Sequence, residues 1–173
     1  MTKKEFFQKY ANFAKSSANG TGISPLLILS QAYLESGGAK SSLSSKYNNF
    51  FGVKADSSWQ GKRVLLETNE QNRAGQVIKI KAYFRVYNNP SESFSDHIKF
   101  LKSNPRYAKS GLFSYADNFL KQADTLQKAG YATDIHYADK LKSLSNEFSQ
   151  LIVPASGLGL IALVALSYAI INA

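Results

Sequence analysis

The chain has 173 residues, a formal net charge of +9 and no cysteine. That length supports one domain with a core of its own, and the lack of cysteine excludes disulfides and thiolate metal sites. The two histidines, His97 and His136, lie far apart, so neither a metal nor another cofactor is expected, while the excess of Lys and Arg calls for an anionic partner: nucleic acid, lipid headgroups or an acidic wall polymer.

Phe6, Phe7, Tyr10, Phe13 and Ala14 fall on one face of an amphipathic helix that Asn19-Gly20 would end. This opening stretch has no continuous apolar core, so it does not read as a secretory signal. "GISPLLILSQAYLESGG" predicts a second helix, with Ser24 as N-cap and Pro25 at its first position. "KRVLLETNE" and "QVIKIKAYFRVY" are β-rich runs around the polar turn "QNRAG", a hairpin open to extension by a short third strand. After Asn89-Pro90, helical spacing resumes in "SESFSDHIKFLKS", where Ser93 and Asp96 are spaced as a capping box. "YADNFLKQADTLQKAG" predicts a further helix stopped by Gly130, and "TDIHYADKLKSLSNEFSQL" a last one.

Every charged residue sits at or before Glu147. From Leu151 to Ile171 the chain is uncharged and apolar, about the 20 residues a helix needs to cross a bilayer. Pro154 falls in the first turn of that span and Tyr168 near its far interface. Small residues at Ala155, Gly159, Ala165 and Ala169 would allow helix–helix self-association in the membrane. The expectation is a soluble domain over 1–148 and a transmembrane anchor over 151–171.

Glu35 is the one carboxylate at the end of an apolar helix that also carries Leu27, Ser30, Gln31 and Leu34. Aliphatic surroundings disfavour its ionised form, and the partial negative charge of a helix C-terminus acts in the same sense. A glutamate so placed tends to keep a proton near neutral pH, as a general acid must. Gly37 and Gly38 would turn the chain away without side chains, leaving room beside the carboxyl. An exposed glutamate at a helix end fits the same local pattern, so these residues alone leave both readings open.

Six separated stretches go further: "LESGGAKS", "YNNFFGVKADSSWQGKRV", "LETNEQ", "AYFRVYNNPSESFSDHIKFL", "NPRYA" and "LQKAGYATDIHYADKL". In order and spacing they resemble the peptidoglycan-hydrolysing N-acetylglucosaminidases of the flagellar-hydrolase and autolysin type (glycoside hydrolase family 73). The likeness runs from about residue 5 to residue 146. It implies an α+β fold, a mainly α-helical lysozyme-like domain with one β-hairpin lobe. It also implies that Glu35, in the family's L-E-S motif, is the catalytic acid. A second carboxylate belongs to a T-x-E pattern on the hairpin; Glu70 matches it in Thr68-Asn69-Glu70, with Glu67 the alternative. Tyr107 of N-P-R-Y falls on a further catalytic position, which the resemblance implies helps position substrate or stabilise the reacting sugar, and Asn49, Phe51 and Gly52 of "NNFFG" on a motif that builds the cleft. The family pattern after L-E-S is Gly, a bulky residue and Gly; this chain has Gly37, Gly38 and Ala39, which would alter the cleft.

These positions suit hydrolysis of a β-1,4 glycosidic bond, in which one carboxyl protonates the leaving oxygen and another activates water. A mechanism using the substrate's own N-acetyl group, a muramidase and a lytic transglycosylase are neighbouring alternatives, and a non-catalytic wall-binding tether is the alternative from another class. Sugars pack on aromatic rings: Trp59, the only tryptophan, suits either a sugar platform or a core anchor, with Tyr137 and Tyr47 as weaker candidates. His97 reads as a packed or half-exposed residue. No recognition helix or basic-aromatic RNA motif accompanies the charge, so peptidoglycan glycan strands rather than nucleic acid are the expected partner. An apolar tail with no secretory signal leads to the expectation of a phage lysin or virion-associated entry enzyme, tail-anchored in a virion membrane or the bacterial inner membrane.

Overall fold

The computed structural model describes residues 1–71, 76–116 and 118–152, with the side chains of Glu70, Gln71 and Ile152 not among the described atoms. Helix α1 (Lys3–Ala18) opens with a capping box, in which Thr2 accepts from the Glu5 amide and Glu5 accepts from the Thr2 amide. Its buried Phe6, Tyr10, Ala14 and Ala18 recur at helical spacing, so the predicted apolar face belongs to the core.

Helix α2 (Pro25–Ser36) lies at the centre, packed against α1, α6 (Phe119–Lys128) and α7 (Tyr137–Ile152). Its run from Leu27 through Ala32 is buried without interruption, the pattern of a helix enclosed on all sides. Ser24 is its N-cap, as expected, but makes no side-chain cap bond; the Ser24 amide instead donates to Gln122 Oε1 at 2.8 Å. Leu101, Leu126, Leu141 and Phe148 close the core around it.

Helix α4 (Pro90–Ser103) corrects the predicted capping box. Its N-cap is Asn89, whose side chain accepts from the Glu92 amide, and Pro90 takes the first helical position. Ser93 lies inside the helix, buried, with its Oγ accepting from the Phe50 amide, and Asp96 is used elsewhere. Helix α6 likewise starts at Phe119 behind the N-cap Asn118, later than the pattern suggested, and α7 starts at Tyr137. Two short helices, α3 (Ser42–Tyr47) and α5 (Pro105–Lys109), and a 3-10 turn at Leu112–Ser114 have no counterpart among the sequence expectations.

The hairpin forms as expected: β1 (Arg63–Gln71) pairs antiparallel with β2 (Val77–Arg85), from Arg63 opposite Arg85 to Gln71 opposite Val77. The anticipated third strand is only an isolated bridge between Lys54 and Phe84, flanked by bonds from the Ala55 amide to the Tyr83 carbonyl and from the Arg85 amide to the Val53 carbonyl. Arg85 anchors the lobe. Its guanidinium meets Asp96 on α4 at 2.8 Å, and the Tyr87 hydroxyl donates to the same carboxylate at 2.7 Å.

The predicted membrane span lies outside the described residues from position 153 onward. Among the described residues no helix is long and apolar enough to cross a membrane.

Candidate active site

Helix α2 delivers Glu35 to the surface of the molecule. The helix stops one residue later because Gly37, Gly38 and Ala39 are all left-handed, with φ of 59°, 69° and 63°. Gly37 and Gly38 donate back to Leu34 and Tyr33, and the Ser36 hydroxyl accepts from the Ala39 amide at 2.8 Å. Gly38 also lies close to the Tyr33 ring, so a Cβ there would press on it at 3.1 Å. The expected bulky residue is thus replaced by a tight turn. Alanine at position 39 holds a conformation that favours glycine.

The carboxyl of Glu35 is open to solvent on one side and crowded by protein on the other. By surface area the residue is exposed, yet the packing around its carboxyl is dense enough for desolvation to raise its pKa. The Tyr137 hydroxyl, which donates to Glu35 Oε1 at 2.9 Å, opposes that rise. With one side this exposed, the shift is a direction and not a stored energy.

Behind Glu35 runs a line of buried polar groups. Gln31, one turn upstream on α2, donates from Nε2 to the Tyr137 hydroxyl at 3.1 Å, and its Oε1 lies 3.2 Å from Nε2 of His97 on α4. Burial pushes His97 down to about 3, so its ring is neutral. Beside this line stands a column of aromatic rings. Tyr137 stacks on Tyr131 at 5.3 Å, and Tyr131 meets Tyr107 at 6.1 Å. Burial raises the pKa of all three phenols; the Glu35 charge adds to the rise at Tyr131 and Tyr137. Arg106 donates to the Tyr107 hydroxyl at 2.7 Å and to the Gly130 carbonyl at 3.2 Å, tying α5 to the end of α6.

The expected site residues therefore divide by place. Glu35 and Tyr137 are joined directly, but Tyr137 is buried with its ring on Tyr131, so it presents a hydroxyl to the acid and no open face to a sugar. Tyr107 is fully buried, two rings away from Glu35. Asn49 is buried with its amide bound to the backbone of Val53 and Arg85, and Phe51 stacks on His97 at 3.9 Å. Gly52 supplies a turn at φ 62°. Trp59 is half-buried at the hairpin base, its indole donating to the Lys62 carbonyl, with Arg85 over its face at 4.5 Å and Tyr87 against its edge. Tyr47 accepts from the Tyr87 amide through its carbonyl.

Strand register separates the two hairpin positions. Position 67 stands opposite Lys81 and is in step with Leu65, whereas position 70 stands opposite Ile78 and is in step with Val64, Leu66 and Thr68. The latter face is the one that carries buried Phe84 at its base. Glu67 is exposed on the other face. Gln31, Tyr131 and Arg106 were not singled out in the sequence as site residues. Gln31 had a signal in its spacing of four from Glu35, which places both on one helical face; Tyr131 and Arg106 had only their membership of the quoted motifs.

Comparison with known proteins identifies the family. The family model described as "Glucosaminidase: Mannosyl-glycoprotein endo-beta-N-acetylglucosaminidase" matches residues 11–150. The peptidoglycan hydrolase FlgJ of Vibrio cholerae is 33% identical over 162 residues, covering 92% of this chain and 48% of that protein. The exo-glucosaminidase LytG of Bacillus subtilis is 36% identical over 126 residues, covering 72% of this chain and 44% of that protein. The chain thus spans about half the length of the curated relatives it matches. Among solved structures, the glycoside hydrolase domain of Salmonella typhimurium FlgJ superposes with a TM-score of 0.71 at 36% identity, covering 87% of this chain and 91% of that one. The match over residues 11–150, the shared fold and the sequence identity together place this chain in the glucosaminidase family of glycoside hydrolases, with a lysozyme-like fold.

Proposed function

We propose that the protein is a membrane-anchored peptidoglycan hydrolase that cleaves the β-1,4 glycan backbone as an endo-β-N-acetylglucosaminidase. The observation that carries this reading is the Glu35 carboxyl, open on one side, desolvated on the other and held by Tyr137. In the proposed reaction Glu35 gives its proton to the glycosidic oxygen as the bond from that oxygen to the anomeric carbon breaks. Water adds to the anomeric carbon and passes a proton to Glu70, the carboxylate that matches the T-x-E pattern of the hairpin, with Glu67 the alternative. Attack from the opposite face inverts the centre when the two carboxyls stand roughly 6.5–9.5 Å apart. Tyr107 and Tyr131 hold Tyr137 against Glu35. Asn49, Phe51 and Gly52 build the floor on which the glycan lies, and Trp59 borders it.

Digestion of purified peptidoglycan by the full chain, with the new reducing ends identified by mass spectrometry, tests the bond assignment. N-acetylglucosamine ends support it. Muramic ends would make the protein a muramidase, anhydro-muramic ends a transglycosylase, and binding to the wall without products a tether.

The membrane assignment rests on the uncharged apolar stretch 151–171, and that tail is also the support for a lysin or virion-associated setting. Resistance of the full chain to alkaline extraction from membranes, lost when Leu160 and Leu163 are both changed to Lys, is the expected result. Extraction of the unaltered chain would refute the anchor.

A further inference from the structure

Within the proposed hydrolase reaction, we infer that His97 and Gln31 are positioning residues: a one-way hydrogen-bond relay from His97 through Gln31 and Tyr137 orients the Tyr137 hydroxyl onto Glu35 Oε1, and so reserves Oε2 for the proton given to the substrate.

The direction of the relay follows from the donor and acceptor each group possesses. Glu35 Oε1 is 2.9 Å from the Tyr137 hydroxyl, Gln31 Nε2 is 3.1 Å from that hydroxyl, and Gln31 Oε1 is 3.2 Å from His97 Nε2. An amide oxygen only accepts, so the imidazole must carry its hydrogen on Nε2. The amide NH2 then donates to the Tyr137 oxygen, whose own hydrogen points at Glu35 Oε1, a better acceptor than the protonated Tyr131 phenol beside it. Reversal would require Gln31 to flip, Tyr137 to donate to the amide oxygen, and His97 to accept at Nε2 with its hydrogen moved to Nδ1.

The surroundings of His97 oppose reversal. Its ring is fully buried, stacked on Phe51 at 3.9 Å and 5°, with Phe100 at 6.2 Å on another side and the edge of Tyr131 at 6.0 Å. Nδ1 has no hydrogen-bond partner among the described residues. A buried N–H without an acceptor is more costly and rarer than an acceptor that goes unused, so these apolar neighbours select the Nε2–H form. The apolar packing of one imidazole on α4 thereby sets the orientation of an amide on α2 and of a phenol on α7.

The consequence for chemistry lies at the carboxyl. A glutamic acid facing an unoriented tyrosine can turn its own O–H onto the phenol oxygen, where the proton is of no use to a leaving group. With Tyr137 already donating to Oε1, the acid proton resides on Oε2. The ionisable groups around Glu35 are Tyr137 on α7, Tyr131 after α6, Tyr107 and Arg106 on α5, and His97 on α4. Burial keeps the phenols protonated and the imidazole neutral, so the relay keeps its sense across the range in which Glu35 titrates.

The test uses the full chain labelled with 15N at its two histidines and with 13C at its glutamate carboxyls, beside His97→Phe and His97→Gln. The first substitution keeps a ring for Phe51 to stack on and removes the donor; the second places an amide N–H where Nε2 was. The expected result is a neutral Nε2–H tautomer for His97, an upward shift of the Glu35 titration in His97→Phe and its return in His97→Gln. Turnover of peptidoglycan is expected to fall about tenfold in His97→Phe with KM nearly unchanged, and to recover in His97→Gln. An Nδ1–H tautomer, or a Glu35 titration indifferent to both variants, would overturn the relay even if the enzyme is active. Equal loss in both folded variants with no change in titration would reduce His97 to a packing residue and overturn it as well. The spectra read the relay without catalysis, so an unaltered chain that shows the expected tautomer and titration but releases no sugar ends would support the relay and refute the hydrolase reading alone.

Discussion

Replacing Tyr137 by Phe removes one oxygen atom and two hydrogen bonds. The ring stays packed on Tyr131, so no cavity larger than a hydroxyl forms. The loss falls mainly on Gln31, which is fully buried and whose Nε2 donates to that hydroxyl. Leaving a buried amide N–H without its acceptor costs about 1–3 kcal/mol. The bond to Glu35 adds little to stability, since that carboxyl is open to water on one side. A net loss of about 2 kcal/mol in a chain of this size corresponds to a fall of roughly 4–8 °C in Tm. The same change removes a donor that favours the ionised carboxylate, so the pKa of Glu35 rises further. A general acid works while protonated; the alkaline limb of kcat/KM should therefore move to higher pH. Thermal unfolding of the full chain and a pH–rate profile measure the two effects. An unchanged Tm would mean that Gln31 does not depend on the Tyr137 hydroxyl, and an alkaline limb displaced to lower pH that this hydroxyl does not favour the ionised Glu35.

Four further substitutions probe other parts of the molecule. Arg85→Met leaves the Asp96 carboxylate without its counter-charge, with Tyr87 still donating to it, in a place where the Arg85 and Asp96 side chains are only 14% and 15% exposed; urea unfolding should report a loss of about 3 kcal/mol, against less than about 1 kcal/mol for Lys3→Met, whose pair with Glu147 is 44% exposed on both sides. Ala39→Gly should stabilise the protein by up to about 1 kcal/mol, because φ of 63° strains an alanine and suits a glycine, and a decrease in Tm would count against that strain. Glu35→Gln should stabilise the fold at neutral pH and not in acid. The folded pKa of Glu35 is raised, so the folded state holds a proton that the unfolded chain has released. Stability then falls as pH climbs from the ordinary carboxylate range through the raised value, and a glutamine escapes that fall. Parallel melting curves of the two chains at acid and neutral pH check the sign.

How much of this was legible in the sequence varies with the range of the forces involved. The central helix and its end were readable because Ser24-Pro25, an unbroken apolar run and Gly37-Gly38 are local signals that agree. The start of α4 was misread because Ser93 and Asp96 have capping-box spacing, while Asn89 and Pro90 just upstream form the stronger start signal. Helices α3 and α5 are too short to show a hydrophobic period at all. At the site, Glu35 stood out by its own neighbours, but its hydroxyl partner lies 102 residues later and the histidine behind it on a third helix. Nothing in the local pattern around His97 distinguishes a packing residue from one that touches Gln31. Only the tertiary fold brings α2, α4 and α7 together.

If Glu35 supplies the proton, the release of reducing ends from purified peptidoglycan must differ sharply between the full chain and Glu35→Gln under the same conditions. A glutamine is nearly the same size and still accepts from Tyr137, but has no acid proton to give. Glu35→Gln should bind the wall as the unaltered chain does and release ends at a rate lower by at least about 10²-fold. A Glu35→Gln chain that releases the same ends at a comparable rate would contradict that role of Glu35.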